Sequence, residues 1–184
     1  DVERSRGLGD VYKRQAMFPW LRTIDNIAYP LRLEGRSKAE VDARVEELVA
    51  SFDVKFDLKR YPYELSGGQQ QTASIMRALA PGPEVLFLDE PFSALDFEMT
   101  LFIREKLQEV FLQTGTTMLL VSHDLEEAVY LADQILLLTK RPTRVAEILD
   151  YADARPRTVE TLSEPSFIQM KKLSLEIFQR EVRK

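Results

Sequence analysis

Val85-Leu86-Phe87-Leu88-Asp89-Glu90-Pro91 is a short apolar run closed by two adjacent carboxylates and a proline. Bounded upstream by Pro81-Gly82-Pro83, it predicts a strand buried on both faces rather than one alternating between core and water. Thr117-Met118-Leu119-Leu120-Val121 repeats the pattern. Between the two, from Phe97 to Gln113, Phe102, Ile103, Leu107, Val110 and Phe111 recur at helical spacing. Continuous apolar strands separated by helices imply an α/β fold with a mostly parallel sheet covered by helices on both faces. In such sheets ligands gather at the carboxyl ends of strands, where Asp89 and Glu90 stand.

The same alternation extends in both directions. Upstream, Thr23 can cap a short helix to about Leu33, and Ser37-Lys38-Ala39-Glu40 reads as a capping box opening a second, with Val41, Val45, Leu48, Val49 and Phe52 on one face. Ser66 can cap a third that runs to the Pro81 breaker, with Ile75, Met76, Leu79 and Ala80 available for packing. Downstream, Asp124 caps a helix through Ala132, Ile135 to Leu138 forms a strand, and Arg144 to Leu149 another, antiparallel at an edge. Pro165 to Arg183 is amphipathic and helical.

Composition narrows the function classes. The chain has 184 residues, 45% of them hydrophobic, enough to bury a core. Its net charge is −5 with Lys and Arg scattered, so the basic footprint of a nucleic-acid binder is missing. The absence of cysteine excludes disulfides and thiolate metal sites. No run has the length needed to cross a bilayer.

Three groups of residues carry chemistry. At Leu65-Ser66-Gly67-Gly68-Gln69 two glycines allow close backbone approach, helix-start N–H groups favour an anion and the Ser66 hydroxyl adds a donor, together a phosphate-binding surface. An ordinary capped helix entered through a glycine turn has the same residues. At the Val85 strand end, one carboxylate can hold Mg²⁺ while its neighbour orients and polarises an attacking water, which divides the pair into Asp89 for metal and Glu90 for water. Acids that only end a strand and solvate a loop are the plainer account. His123, the one histidine, ends the next strand and is expected beside that pair, where it can hydrogen-bond a γ-phosphate oxygen or the water, or serve structurally. Asp124 reads as a helix cap rather than a catalytic group.

Taken in order, Leu65 to Gln69 resembles the signature of ATP-binding-cassette (ABC) ATPases, Val85 to Glu90 their Walker B strand, Ser93-Ala94-Leu95-Asp96 their D-loop, and Val121-Ser122-His123-Asp124 their H-loop. Phe18-Pro19-Trp20-Leu21-Arg22-Thr23 with Asp25-Asn26, Tyr61-Pro62, Asp89 to Asp96, and Glu126 to Asp133 are similar to the ATPase subunits of bacterial nitrate, sulfonate and taurine importers. The resemblance covers Ala16 to about Leu149. It implies the C-terminal two-thirds of an ABC-type P-loop NTPase domain: residues 16–80 a mainly helical subdomain with the signature, 81–150 a core with Walker B, D-loop and H-loop, and 151–184 a helical extension.

The resemblance further implies a homodimer sandwiching ATP and Mg²⁺, in which Leu65, Ser66, Gly67, Gly68 and Gln69 serve the partner's ATP and Asp96 acts across the dimer interface. Asp89 would support Mg²⁺, Glu90 would be the catalytic base and His123 would sense the γ-phosphate. The other implied partners are a transmembrane permease, met by the region from Phe18 to Tyr29, which an ordinary hydrophobic contact within the lobe explains equally well, and through the permease a periplasmic binding protein. The subunit would then sit peripherally on the cytoplasmic face of the plasma membrane.

Departures from the family pattern matter as much. The G-x-x-x-x-G-K-[ST] phosphate loop does not occur in these 184 residues, nor does the family's upstream adenine-stacking aromatic. The Q-loop glutamine should fall near Lys13, so Gln15 is out of register. Asp10 to Gln15 looks like a sequencing-library transposon end, so residues 1–15 are expected to be a non-native tail fused to a truncated gene. Gln71-Thr72 stands where Gln-Arg is usual, and Met76 precedes Arg77 where alanine is usual. These 184 residues alone are therefore expected to be inactive and marginally stable. The alternatives are a non-hydrolysing ABC-type binding module and a soluble ABC ATPase acting outside transport.

Overall fold

Residues 17–93 and 95–183 are described by a computed structural model, so the suspect tail and Ala94 lie outside the described residues. They divide into two compact units, one within Asp1–Leu86 and Phe92–Thr100, the other within Phe87–Pro91 and Leu101–Lys184.

Capping chemistry sets the helices of the first unit. Helix α1 spans Thr23–Leu33, α2 Lys38–Ser51 and α3 Gly67–Leu79. Ser37 and Glu40 form the expected reciprocal box, the Ser37 N–H donating to Glu40 Oε2 at 2.8 Å. Val41, Val45 and Leu48 are buried and Val49 half-buried. Helix α1 packs on both α2 and α3, contributing Ile27, Ala28 and Leu31, while α3 buries Ala73, Ile75, Met76 and Leu79. Arg44 closes the end of α3, donating from Nε to Ala80 O at 3.1 Å and from its terminal nitrogen to Leu79 O at 3.0 Å.

The expected cap at Thr23 is corrected. Arg22 precedes α1 without a side-chain cap, and Thr23 is a buried helical residue whose hydroxyl donates to Arg60 O at 2.8 Å. The fixed point of this entry loop is Asn26, fully buried. Its amide nitrogen donates to the carbonyls of Phe18, Leu21 and Arg22, and its Oδ1 accepts from Phe18 N–H at 2.7 Å.

Helix α4 spans Phe97–Thr114, α5 Leu125–Leu131 and α6 Pro165–Arg183. Strands β1 (Val85–Asp89) and β2 (Thr117–Val121) form one two-stranded sheet; β3 (Gln134–Leu138) and β4 (Val145–Asp150) form a second, antiparallel, with an irregularity at Leu137/Leu138. The expectation of doubly covered strands is corrected among the described residues. Leu86 and Leu88 are buried, but Phe87 is 72% exposed, Leu119 50% and Val121 53%. An apolar strand face becomes buried only when another element covers it, and the described residues supply cover for one face of these strands.

The second unit's core gathers Val129, Tyr130, Ile135, Leu137, Tyr151, Phe167 and Ile177, with α6 packed on α5, β3 and β4. Helix α4 buries Ile103, Leu107 and Val110 as expected, while Phe102 and Phe111 are only half-buried; Arg104 and Gln108 share the buried face instead. Buried Arg157 closes the end of α5, donating to Val129 O at 3.0 Å and Ala132 O at 2.7 Å, and also reaches Tyr151 O at 2.9 Å. Its backbone is held reciprocally by Gln108, at 2.8 and 2.7 Å.

Candidate functional site

In the first unit Ser66 caps α3, and its box with Gln69 duplicates that of Ser37 and Glu40: the Ser66 N–H donates to Gln69 Oε1 at 3.0 Å and the Gln69 N–H to Ser66 Oγ at 3.3 Å. Those side chains are engaged by the helix itself. The N–H groups of Gly67 and Gly68 lie in the first turn, where no preceding helical carbonyl exists to accept them. Leu65 is buried and takes the Gln70 amide on its carbonyl at 3.1 Å, which anchors the turn. A Cβ on Gly68 would stand 2.7 Å from Met99 Cγ, so glycine there allows α3 to approach the start of α4 closely.

That helix start is set by Asp96, whose Oδ1 accepts from Met99 N–H at 2.8 Å and whose carbonyl accepts from Thr100 N–H at 3.0 Å. The structure thus brings Gly68 and the Asp96 turn together and gives Asp96 a capping role. Thr72, at the unusual position, is buried and donates to Gly68 O at 2.9 Å, and Met76 is buried.

The second unit holds the carboxylate and the imidazole. Glu90 follows β1 with φ of 49°, left-handed backbone that a non-glycine residue adopts at a cost. Its N–H donates to Val121 O at 2.8 Å, tying the end of β1 to the end of β2. Glu90 Oε2 lies 2.6 Å from His123 Nδ1. This contact raises the imidazole above its ordinary pKa, through the hydrogen bond first and the charge of Glu90 second. The His123 ring is 77% exposed and Glu90 27%. With Nδ1 donating to Glu90, Nε2 faces outward as an acceptor in the neutral ring and as a donor in the imidazolium that Glu90 favours, and engagement of Oε2 leaves Oε1 to accept from a water.

Asp89, the last residue of β1, is exposed. No cluster of three or more His, Asp or Glu among the described residues would hold a metal by protein ligands alone. A single carboxylate suits Mg²⁺, which keeps waters and takes phosphate oxygens. Asp124 is the cap of α5, accepting from Glu126 N–H at 2.7 Å.

The Phe18–Tyr29 region forms an aromatic ledge in the first unit: Phe18 meets Trp20 at 5.4 Å and Tyr29 at 4.8 Å between centroids, and Trp20 is 70% exposed. The sequence marks Ser122 only within the stretch around His123, Glu127 only within Glu126 to Asp133, and Arg104 not by any motif. The signal available for Arg104 was its place beside Ile103 and Leu107 on the apolar stripe of α4.

A profile of the ABC transporter family matches residues 2–93. The chain is 39% identical over 172 residues to the taurine import ATP-binding protein TauB of Pseudomonas putida, covering 88% of this chain and 63% of that one. It is 38% identical to TauB of Escherichia coli (strain 536), covering 91% and 68%. It is 34% identical to the ABC transporter ATP-binding protein MJ0412 of Methanocaldococcus jannaschii, covering 96% and 65%. Among solved structures, the dimeric ATP-binding cassette MJ0796 in a post-hydrolysis state with ADP and Pi superimposes with a TM-score of 0.65 at 27% identity, over 75% of this chain and 60% of that one. The chain belongs to the ABC transporter ATP-binding family. It spans 63% of the length of the Pseudomonas putida relative.

Proposed function

We propose that this chain contributes the signature, the carboxylates and the histidine to the ATP-binding subunit of a bacterial importer of the taurine, sulfonate and nitrate class. The observation that carries the reading is the Glu90–His123 pair, 2.6 Å apart where β1 and β2 end. Glu90 accepts a proton from an attacking water, and the His123 ring, when protonated, donates from Nε2 to a phosphate oxygen. Asp89 would hold Mg²⁺, which supplies charge neutralisation on the phosphates when bound. The first-turn N–H groups of Gly67 and Gly68 provide an anion site for the nucleotide of a second subunit, with Asp96 at the interface between the two. Trp20 and its aromatic neighbours would form the surface for the permease, with the subunit peripheral on the cytoplasmic face of the membrane. Among the described residues, no helix is long and apolar enough to cross a membrane.

Sedimentation with the Pseudomonas putida TauB protein tests the reading. In ATP and Mg²⁺ the 184-residue chain is expected to form a 1:1 complex that dissociates without nucleotide. Association indifferent to ATP, or none, would overturn it. Alone, the chain is expected to turn over no ATP, because the lysine and backbone donors of a G-x-x-x-x-G-K-[ST] loop are not among its residues.

A further inference from the structure

His123 is the most exposed member of its pair, with 77% of its side chain accessible, so packing does not fix its ring. The loop that carries it must do so. Ser122 Oγ donates to Glu127 Oε2 and accepts from the Asp124 N–H at 3.0 Å, bridging across the histidine. Glu127 in turn lies 3.6 Å from a terminal nitrogen of Arg104, a buried guanidinium stacked over Tyr130 at 5.4 Å. Arg104 also faces Glu126 at 3.9 Å, and Glu126 is held by Lys171 of α6 at 2.6 Å.

Three elements thus converge on one loop. The charged groups around His123 are Glu90 at the end of β1, Asp124, Glu126 and Glu127 at the start of α5, with Arg104 from α4 and Lys171 from α6 behind them. Charge alone does not require the Ser122 hydroxyl. Its two hydrogen bonds do geometric work, since they fix the backbone on both sides of His123 relative to a carboxylate that a buried arginine immobilises.

We propose that Ser122, Glu127 and Arg104 are positioning residues for His123: Arg104 fixes Glu127, Glu127 fixes the Ser122 hydroxyl, and Ser122 holds the loop so that Nδ1 meets Glu90. The consequence for a phosphate ligand rests on the function proposed above. The positioning does not, because the Glu90–His123 contact and the bonds behind it are made by this chain's own side chains.

The single histidine makes the test direct. ¹⁵N chemical shifts of the 184-residue chain, recorded without nucleotide at a pH where the ring is neutral, give the tautomer ratio. A ring donating to Glu90 keeps its proton on Nδ1; a released ring moves it to Nε2. Glu90→Ala defines the released value. Ser122→Ala, which keeps the Glu127 charge, and Glu127→Gln should each lower the Nδ1–H to Nε2–H ratio about fivefold, the loss of one modest hydrogen bond. A purely structural role would lower the melting temperature and leave the ratio unchanged. An unchanged ratio in folded Ser122→Ala overturns the proposal, as does a native ratio equal to that of Glu90→Ala. Nucleotide takes no part, so failure of the ATP-binding reading in the sedimentation test remains a separate result.

Discussion

Replacing Arg157 with methionine isolates the strongest polar lock in the second unit. The guanidinium is buried, and three of its bonds are short: 2.7 Å to Ala132 O, 2.9 Å to Tyr151 O and 3.0 Å to Val129 O. Each buried carbonyl left without a donor costs about 1–3 kcal/mol, which would suggest about 3–9 kcal/mol for all three. Two effects oppose this. Methionine fills the volume of the arginine stem, and the desolvation of a buried guanidinium, several kcal/mol after relaxation, disappears. The nearest carboxylate, Asp133 at 3.6 Å, is half-exposed and repays little of that desolvation. The net expectation is a loss of about 2–4 kcal/mol, large against a typical stability of about 5–15 kcal/mol. With a urea m-value of about 2 kcal/mol/M, the midpoint should fall by about 1–2 M. Far-UV circular dichroism is the appropriate probe, since the only tryptophan, Trp20, belongs to the first unit. A midpoint unchanged or raised in Arg157→Met would show instead that the desolvation penalty outweighs the carbonyl bonds.

Further outcomes follow from the site. Because Glu90 raises the His123 pKa, the pair's stabilisation is fully present below the ordinary imidazole value of about 6.5 and is lost as pH rises through the raised native value. The gap in urea midpoint between the native chain and Glu90→Gln should therefore be wider near pH 6 than near pH 9, roughly either side of the titration, and an equal gap would contradict the contact. Ser37→Ala and Ser66→Ala break matching capping boxes, so each should cost about 1 kcal/mol in denaturation, yet only Ser66→Ala should weaken ATP-dependent pairing with TauB. Gly68→Ala gains about 1 kcal/mol of helix propensity but must push Met99 aside, and overpacking of about 1–3 kcal/mol makes net destabilisation the expected result; Met99→Ala in the same chain should relieve it.

Much of this was legible because local rules specify it. Ser37 announces its helix by a partner three residues on, Ser66 and Asp124 by a side-chain oxygen at the helix start, and Glu90 and His123 by their places at strand ends. What escaped is what depends on distant groups. Arg157 sits in a polar segment after Pro156, and nothing local reveals that carbonyls from α5 and the start of the C-terminal segment converge on it. Asn26, Arg104 and Gln108 are polar residues buried because partners satisfy them, which hydrophobic periodicity does not register. The apolar composition of β1 and β2 suggested cover on both faces, but composition records what a strand can tolerate rather than what lies over it. Asp96 was read for an interface, and its capping of α4 emerged only from the turn that contains it.

On the function proposed above, Glu90 and His123 drive hydrolysis once a phosphate loop is supplied. Substituting residues 17–184 for the aligned segment of the Pseudomonas putida TauB protein provides that loop on one polypeptide. Steady-state ATP turnover of the chimera is the deciding measurement. Activity that Glu90→Gln lowers by about 10²-fold or more, as expected for removal of a general base, is the predicted result. A folded, ATP-binding chimera whose turnover is indifferent to Glu90→Gln would show that Glu90 is not the base.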